Sequence, residues 1–97
     1  MATVTYAPRA IEDLDRLTDF LLDLDAGAAL DTGALIKDAL DILGRHPLIG
    51  RPVGGPLREL PISRGNSGYL ALYAYQEAID EVTILAIRHQ REAGFEE

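Results

Sequence analysis

The sequence predicts an α+β domain of order β-α-α-β-β-β, an antiparallel sheet with an N-terminal helix hairpin packed on one face. Three observations predict it. Two stretches with apolar residues at three- and four-residue spacing fill the first half, and β-branched and aromatic runs bounded by Gly, Pro and Asn fill the second. The connections between them are short. With 97 residues, 47% of them hydrophobic, the chain supports one core, so 1–97 is read as a single domain.

Thr3-Val4-Thr5-Tyr6 alternates β-branched and aromatic residues and reads as a short strand. Pro8 opens a helix, because proline's missing N–H is no loss in a first turn, although Ala7 before it has no capping oxygen. From Ile11, the residues Leu14, Leu17, Leu21 and Leu24 recur on one face and Glu12, Asp13, Arg16, Asp19 and Asp23 on the other. This predicts an amphipathic helix over about residues 8–25. Gly27 marks the expected break. A second helix follows with Ala28, Leu35, Ile36, Ala39, Leu40, Ile42 and Leu43 as its apolar set, ending near Arg45-His46-Pro47. Gly33 and Gly44 weaken that helix unless they permit close packing.

The stretch from Pro47 to Pro56, rich in Pro and Gly, reads as an ordered surface loop. Leu57 to Ile62 follows as a strand that Pro61 demotes toward an edge, and Ser63-Arg64-Gly65-Asn66-Ser67 turns the chain. Tyr69 to Tyr75 is apolar or aromatic on both faces and reads as a central strand; Gln76 to Asp80 turns into Val82 to Ile87. Arg88 to Glu97 leaves the sheet as a polar tail.

Composition narrows the chemistry. The chain has no cysteine, which removes a disulfide scaffold, a zinc finger and a thiol nucleophile. His46 and His89 lie far apart with no other ligand pattern, so no metal or cofactor is expected. Gly54-Gly55 lacks the lysine and the following helix of a phosphate loop, and no elbow motif surrounds Ser63 or Ser67. The N-terminus has no basic stretch before an apolar run and no apolar run approaches membrane-spanning length, so a soluble intracellular domain is expected.

The formal charge is −7, which disfavours free association with a nucleic-acid polyanion. It is unevenly spread. Residues 1–43 set Arg9, Arg16 and Lys37 against nine carboxylates, whereas residues 44–72 set Arg45, Arg51, Arg58 and Arg64 against Glu59 alone. An acidic half joined to an arginine-bearing middle fits two surfaces with different partners, and it fits a solvated acidic helix pair equally well.

The residues with chemistry to offer are Arg58, Arg64, Arg88 and Arg91 at strand ends, with Glu59, His89 and Glu92 beside them. Guanidinium groups offer paired donors to phosphate or carboxylate, and an imidazole beside a carboxylate can carry a proton in metal-free acid–base chemistry. The same residues also read as a solvated, salt-bridged end to the last strand. Phe95 is one large apolar ring in a charged tail, an anchor for a partner or a latch on the domain's own core.

In order along the chain, Tyr6-Ala7-Pro8-Arg9-Ala10 with its leucine-rich helix, His46 to Pro52, Leu57-Arg58-Glu59-Leu60, Gly68 to Tyr75 and Ile87 to Phe95 resemble the RelE/ParE family of type II toxin–antitoxin toxins, most closely its ParE-like branch. The resemblance spans nearly the whole chain. It implies a toxin neutralised by a cognate ParD/RelB-like antitoxin in a hetero-oligomer that reaches operator DNA only through the antitoxin. ParE-like members are associated with poisoning DNA gyrase, RelE-like members with cutting mRNA on the ribosome. In the nuclease branch the catalytic positions fall on Arg58, Arg64, Arg88 and His89, while Phe95 has no hydroxyl to share in proton transfer. Lys37 is the only lysine and the charge is −7, unlike the strongly basic ribosome-directed toxins, so gyrase inhibition ranks first. Decay to a non-toxic antitoxin-binding module is the third reading. The antitoxin is expected on Leu14, Leu17, Leu21, Arg58 and Arg64, and the target on Arg88, Arg91 and Phe95.

Overall fold

The computed structural model describes residues 1–64 and 67–90. Among them run β1 (Thr3–Tyr6), α1 (Pro8–Leu22), α2 (Ala26–Asp41), β2 (Arg51–Gly54), β3 (Leu57–Arg64), β4 (Ser67–Gln76) and β5 (Glu81–His89), with 3-10 turns at Ile42–Gly44 and Glu77–Ile79. The strands form one sheet in the order β1-β5-β4-β3-β2. The helix hairpin packs on one face of it, α1 against β5 and α2 against β3.

The α+β class and the element order agree with expectation, but the sheet is mixed rather than antiparallel. β1 runs parallel to β5, with Val4 opposite Val82 and Tyr6 opposite Ile84. The reason is a strand hidden in the expected loop. Arg51–Gly54 pairs antiparallel with β3, Arg51 opposite Glu59, and forms the far edge of the sheet. Short connections reverse the chain at every step, so one additional strand inverts the direction of the last one relative to the first. Composition concealed this strand, since Pro52 and Gly54 both disfavour it and Gly54 and Gly55 take positive φ. An edge with a register irregularity between Pro52 and Gly54 is where such residues are tolerated.

The helix boundaries shift for local reasons. α1 ends at Leu22, short of residue 25, because Asp25 leaves helical geometry at φ −164° and caps α2, accepting from Gly27 N at 2.9 Å and Ala28 N at 3.2 Å. Gly27 therefore lies inside the first turn of α2 instead of marking the break. Close packing does not require Gly33, where a Cβ would make an ordinary contact 3.9 Å from Thr18 Cγ2; at Gly44 the fit is tighter, with a Cβ 3.2 Å from Ala2 O. α2 ends at Asp41 and gives way to the 3-10 turn, where Ala2 N donates to Gly44 O at 2.7 Å and ties β1 to the end of the hairpin.

Ala10 and Leu17 of α1 and Ile36 and Leu40 of α2 bury against Ile62, Tyr73, Val82, Ile84 and Ile87 of the sheet. Burying one such aliphatic side chain contributes about 1.5–3 kcal/mol. β2 flanks β3 only as far as Glu59, so Pro61 falls where β3 is itself an edge. A bulge between Leu72 and Tyr73 of β4 leaves Leu85 of β5 as the extra residue. No described helix is long and apolar enough to cross a membrane.

Candidate functional site

Strand alternation and the β5 bulge decide which face each candidate residue meets. Arg58 pairs with Tyr73, and His89 with Tyr69; both stand on the face that carries the helices. The extra residue Leu85 shifts alternation by one, so that Ile87 and His89 turn toward the helices and Arg88, opposite Leu70, turns to the outer face. Arg88 and His89, consecutive in sequence, are thus separated by the sheet.

Arg58 and His89 share a face yet not a place. Their partners Tyr73 and Tyr69 are four residues apart on β4, about 13 Å along the strand, and β3 and β5 lie two strand spacings apart, about 10 Å. The Arg58 guanidinium is engaged with the loop above it: Nη1 donates to Leu48 O at 3.1 Å and Gly50 O at 2.8 Å. Tyr73 works on the same loop, its hydroxyl accepting from Gly50 N and donating to Pro47 O, both at 2.8 Å. Burial raises the Tyr73 pKa, and the Gly50 N–H and nearby Arg58 partly oppose the rise. A Cβ on Gly50 would lie 2.5 Å from the Tyr73 hydroxyl, so glycine is required at this close approach.

The other end of the sheet gathers the backbone positions of Arg64, Arg88 and His89. Arg64 ends β3 opposite Ser67. Arg88 Nη1 donates to His89 O at 3.2 Å and Gln90 O at 3.3 Å, and His89 meets the Tyr69 ring edge-on with centroids 5.3 Å apart. Arg91, Phe95 and the Gly65-Asn66 turn lie outside the described residues. No cluster of three or more His, Asp or Glu placed to hold a metal exists among the described residues.

Two arrangements escaped sequence reasoning. On the outer face Arg51 forms an ion pair with Glu59, which is only 9% exposed. Both residues are visible in the sequence, but their pairing requires the strand that composition hid. The second is Asp13, whose Oδ2 accepts from Ile87 N at 2.9 Å, with Arg9 at 3.9 Å and Arg16 at 3.7 Å from the same carboxylate. β1 accompanies β5 only to Ile84, and Asp13 satisfies an edge amide that β1 leaves open. It looked like one more solvated acid on a polar helix face.

The helix hairpin presents a different surface from the one its leucine pattern suggested. Leu17 is 8% exposed and stands in the core, while Leu14 and Leu21 are half-buried. The large apolar side chains of the hairpin open to water are Ile11, Phe20, Leu22, Leu24 and Leu30, the last 74% exposed, so Ile11 and Leu24 of the expected apolar face do not reach the core. Ile11, Leu14 and Thr18 of α1 face Gly33 and Lys37 of α2 across a shallow seam that ends at Tyr6. Burial and the neighbouring Asp41 raise the Tyr6 pKa, and Lys37 partly opposes this.

This geometry is that of a known group of small toxins. The family model for the ParE toxin of the type II toxin–antitoxin system parDE matches residues 4–94. The chain is 41% identical over 71 residues to Toxin RelE1 of Caulobacter vibrioides, covering 73% of this chain and 76% of that protein. It is 36% identical over 92 residues to Toxin RelE3 of the same organism, covering 95% and 98%. Among solved structures, the chromosomal ParDE system of P. aeruginosa superposes with a TM-score of 0.72 at 25% identity, covering 90% of this chain and 94% of that one. The intact E. coli RelBE toxin–antitoxin complex shares the fold at a TM-score of 0.62 and 16% identity, over 90% and 94%. The chain belongs to the ParE toxin family of type II toxin–antitoxin systems.

Proposed function

We propose that this toxin is held inactive by a ParD/RelB-like antitoxin and, when released in the cytoplasm, inhibits growth by binding a protein target, DNA gyrase, rather than by cutting RNA. The observation that carries the reading is the division of Arg88 from His89 by the sheet, with Arg58 tied to the Leu48 and Gly50 carbonyls. Metal-free RNA cleavage needs a proton carrier and phosphate-holding cations around one phosphate, and these three residues are not assembled in that way. A net charge of −7 also opposes approach to ribosomal RNA. Arg88, Arg91 and Phe95 are the proposed target contacts.

The antitoxin's tail is proposed to lie along the helix seam, over Ile11, Leu14, Leu22 and Leu30, and to run toward Arg58 and Arg64. An apolar seam of this kind suits an amphipathic helix that folds as it binds. Operator DNA is reached only through the antitoxin.

Purified toxin is expected to block gyrase supercoiling or trap cleaved DNA while leaving translated mRNA intact. Unaffected gyrase at saturating toxin rejects the proposal. The nearness of the Arg64, Arg88 and His89 backbone positions at one end of the sheet favours one alternative, ribosome-dependent mRNA cleavage. Primer extension on translated message, with cuts abolished by His89→Ala, would establish it.

A further inference from the structure

The seam between α1 and α2 has an apolar floor and acidic rims. Ile11, Leu14 and Thr18 of α1 and Gly33 of α2 line a shallow hollow of about 450 Å³ that ends at Tyr6. Leu22 stands four residues beyond Thr18, and Leu30 three before Gly33, so both continue the same two helix faces toward the hairpin's end. From Ile11 to Leu22 the seam runs for about 16 Å, the length of three turns of a partner helix. Asp15 lines the hollow, Asp19 follows one turn later, and Asp31 stands beside Leu30, all three exposed.

The hairpin's own cations do not offset these rims. Lys37, the lysine that reaches the seam, pairs with Asp41 at 2.9 Å, and Arg9 and Arg16 gather at Asp13, on the flank that bonds to β5. Residues 17–36 hold four aspartates and no basic residue. Asp15, Asp19, Asp23, Asp31 and Asp38 have no ion pair among the described residues. The sign of the surface selects its occupant. A second copy would set carboxylates against carboxylates, since neither helix of this chain is basic, and nucleic acid or an anionic membrane carries the same sign as the seam. The complement is a helix with aliphatic residues at i, i+3 or i+4, and i+7, flanked by Arg or Lys. Their long apolar stems can cover Leu22 and Leu30 while their charged heads reach the aspartates.

We propose that the seam takes a basic amphipathic helix of the antitoxin, about three turns long, whose aliphatic face fills the hollow and whose Arg or Lys residues meet Asp15, Asp19 and Asp31. This rests on the antitoxin reading above. Repulsion among the rim carboxylates is then relieved as the helix arrives, so a charge pattern that is unfavourable in the free toxin contributes to affinity. The test uses the full toxin and the antitoxin encoded beside it, with dissociation constants measured at low and high salt. Asp15→Lys/Asp19→Lys is expected to raise the Kd at least about tenfold at low salt, to approach wild type at high salt, and to leave the melting temperature undiminished. Leu22→Ser/Leu30→Ser is expected to raise the Kd by a similar factor at both salt concentrations. Glu77→Lys, a charge reversal outside the hairpin, is expected to stay within about twofold of wild type. Wild-type affinity in both seam variants overturns the proposal and leaves the antitoxin reading standing, and if their growth inhibition is lost it assigns the seam to the target. Tighter binding by Asp15→Lys/Asp19→Lys overturns it by showing an acidic partner segment, and equal weakening by Glu77→Lys overturns it by showing an effect of net charge alone. No binding by the wild-type toxin rejects both readings.

Discussion

At the scale of single residues, Tyr73 organises more than any other side chain. It is fully buried, fills the centre of the sheet's helix-facing side, and uses its one hydroxyl both to accept from Gly50 and to donate to Pro47. Tyr73→Phe keeps the ring and removes both bonds, leaving the Gly50 N–H of a buried residue without its acceptor. The expected loss is about 1–3 kcal/mol in urea unfolding, and unchanged stability would show that the loop re-pairs elsewhere. The hydroxyl also sets an alkaline limit. Burial raises its pKa in the folded state, so its contribution is fully present below the unfolded value near 10 and is lost as pH rises through the folded value. Tyr6 shifts in the same direction, chiefly through burial. Stability is therefore expected to fall above about pH 10, and less steeply in Tyr73→Phe than in wild type; parallel curves for the two proteins would assign the decline to other groups.

At the scale of elements, the joint between α1 and β5 is the informative one. β5 outruns its parallel neighbour β1 after Ile84, and the amide of Ile87 is met by a side chain from α1, Asp13. Asp13→Ala is expected to cost about 1–3 kcal/mol and to speed amide hydrogen exchange at Ile87 more than at Val82, where β1 still runs alongside. Equal effects at the two amides would mean that the side chain is not the local fastening. The same joint shows where sequence reading succeeds and stops. The helices were legible because Leu14, Leu17, Ile36 and Leu40 recur at helical spacing, and β4 and β5 because Tyr69 to Tyr75 and Val82 to Ile87 are dense in strand formers. β2 was not, because Pro52 and Gly54 write a loop and only pairing with Leu57 to Glu59 makes them a strand. From that one omission followed the wrong direction for β1 against β5. The bulge at Leu85 is equally silent, and it alone determines that His89 and not Arg88 faces the helices. The candidate site was therefore legible as a list of residue types but not as an arrangement, since a single extra residue reverses every face beyond it.

At the scale of the whole molecule, the charge map sets two requirements against each other. Nine of the sixteen carboxylates fall in residues 1–43, mostly on the two helices, beside three basic residues. Such a field steers charged molecules that approach the surface, yet the folded chain bears the mutual repulsion of its own helix pair. Repulsion is sharpest at the end of α1, where no basic residue stands in the last turn and Asp23 occupies the C-cap next to the negative end of the helix dipole. Asp19 lies one turn earlier. Nothing in the fold uses the Asp23 side chain among the described bonds, so its charge is a cost to the free protein. Asp23→Lys reverses it at a site where a cation is favoured. The expected gain is about 0.3–1 kcal/mol at low ionic strength, and a rise of a few degrees in melting temperature for a domain of this size. Because the group is exposed, salt screens the effect, and the two proteins should converge as ionic strength rises. The wild-type melting temperature itself should rise with salt over the same range, since screening relieves repulsion among carboxylates that greatly outnumber their partners. A melting temperature that is indifferent to salt in wild type, or lowered by Asp23→Lys, would show that the acidic helices are balanced by ion pairs such as Lys37 with Asp41 and carry no net strain into binding.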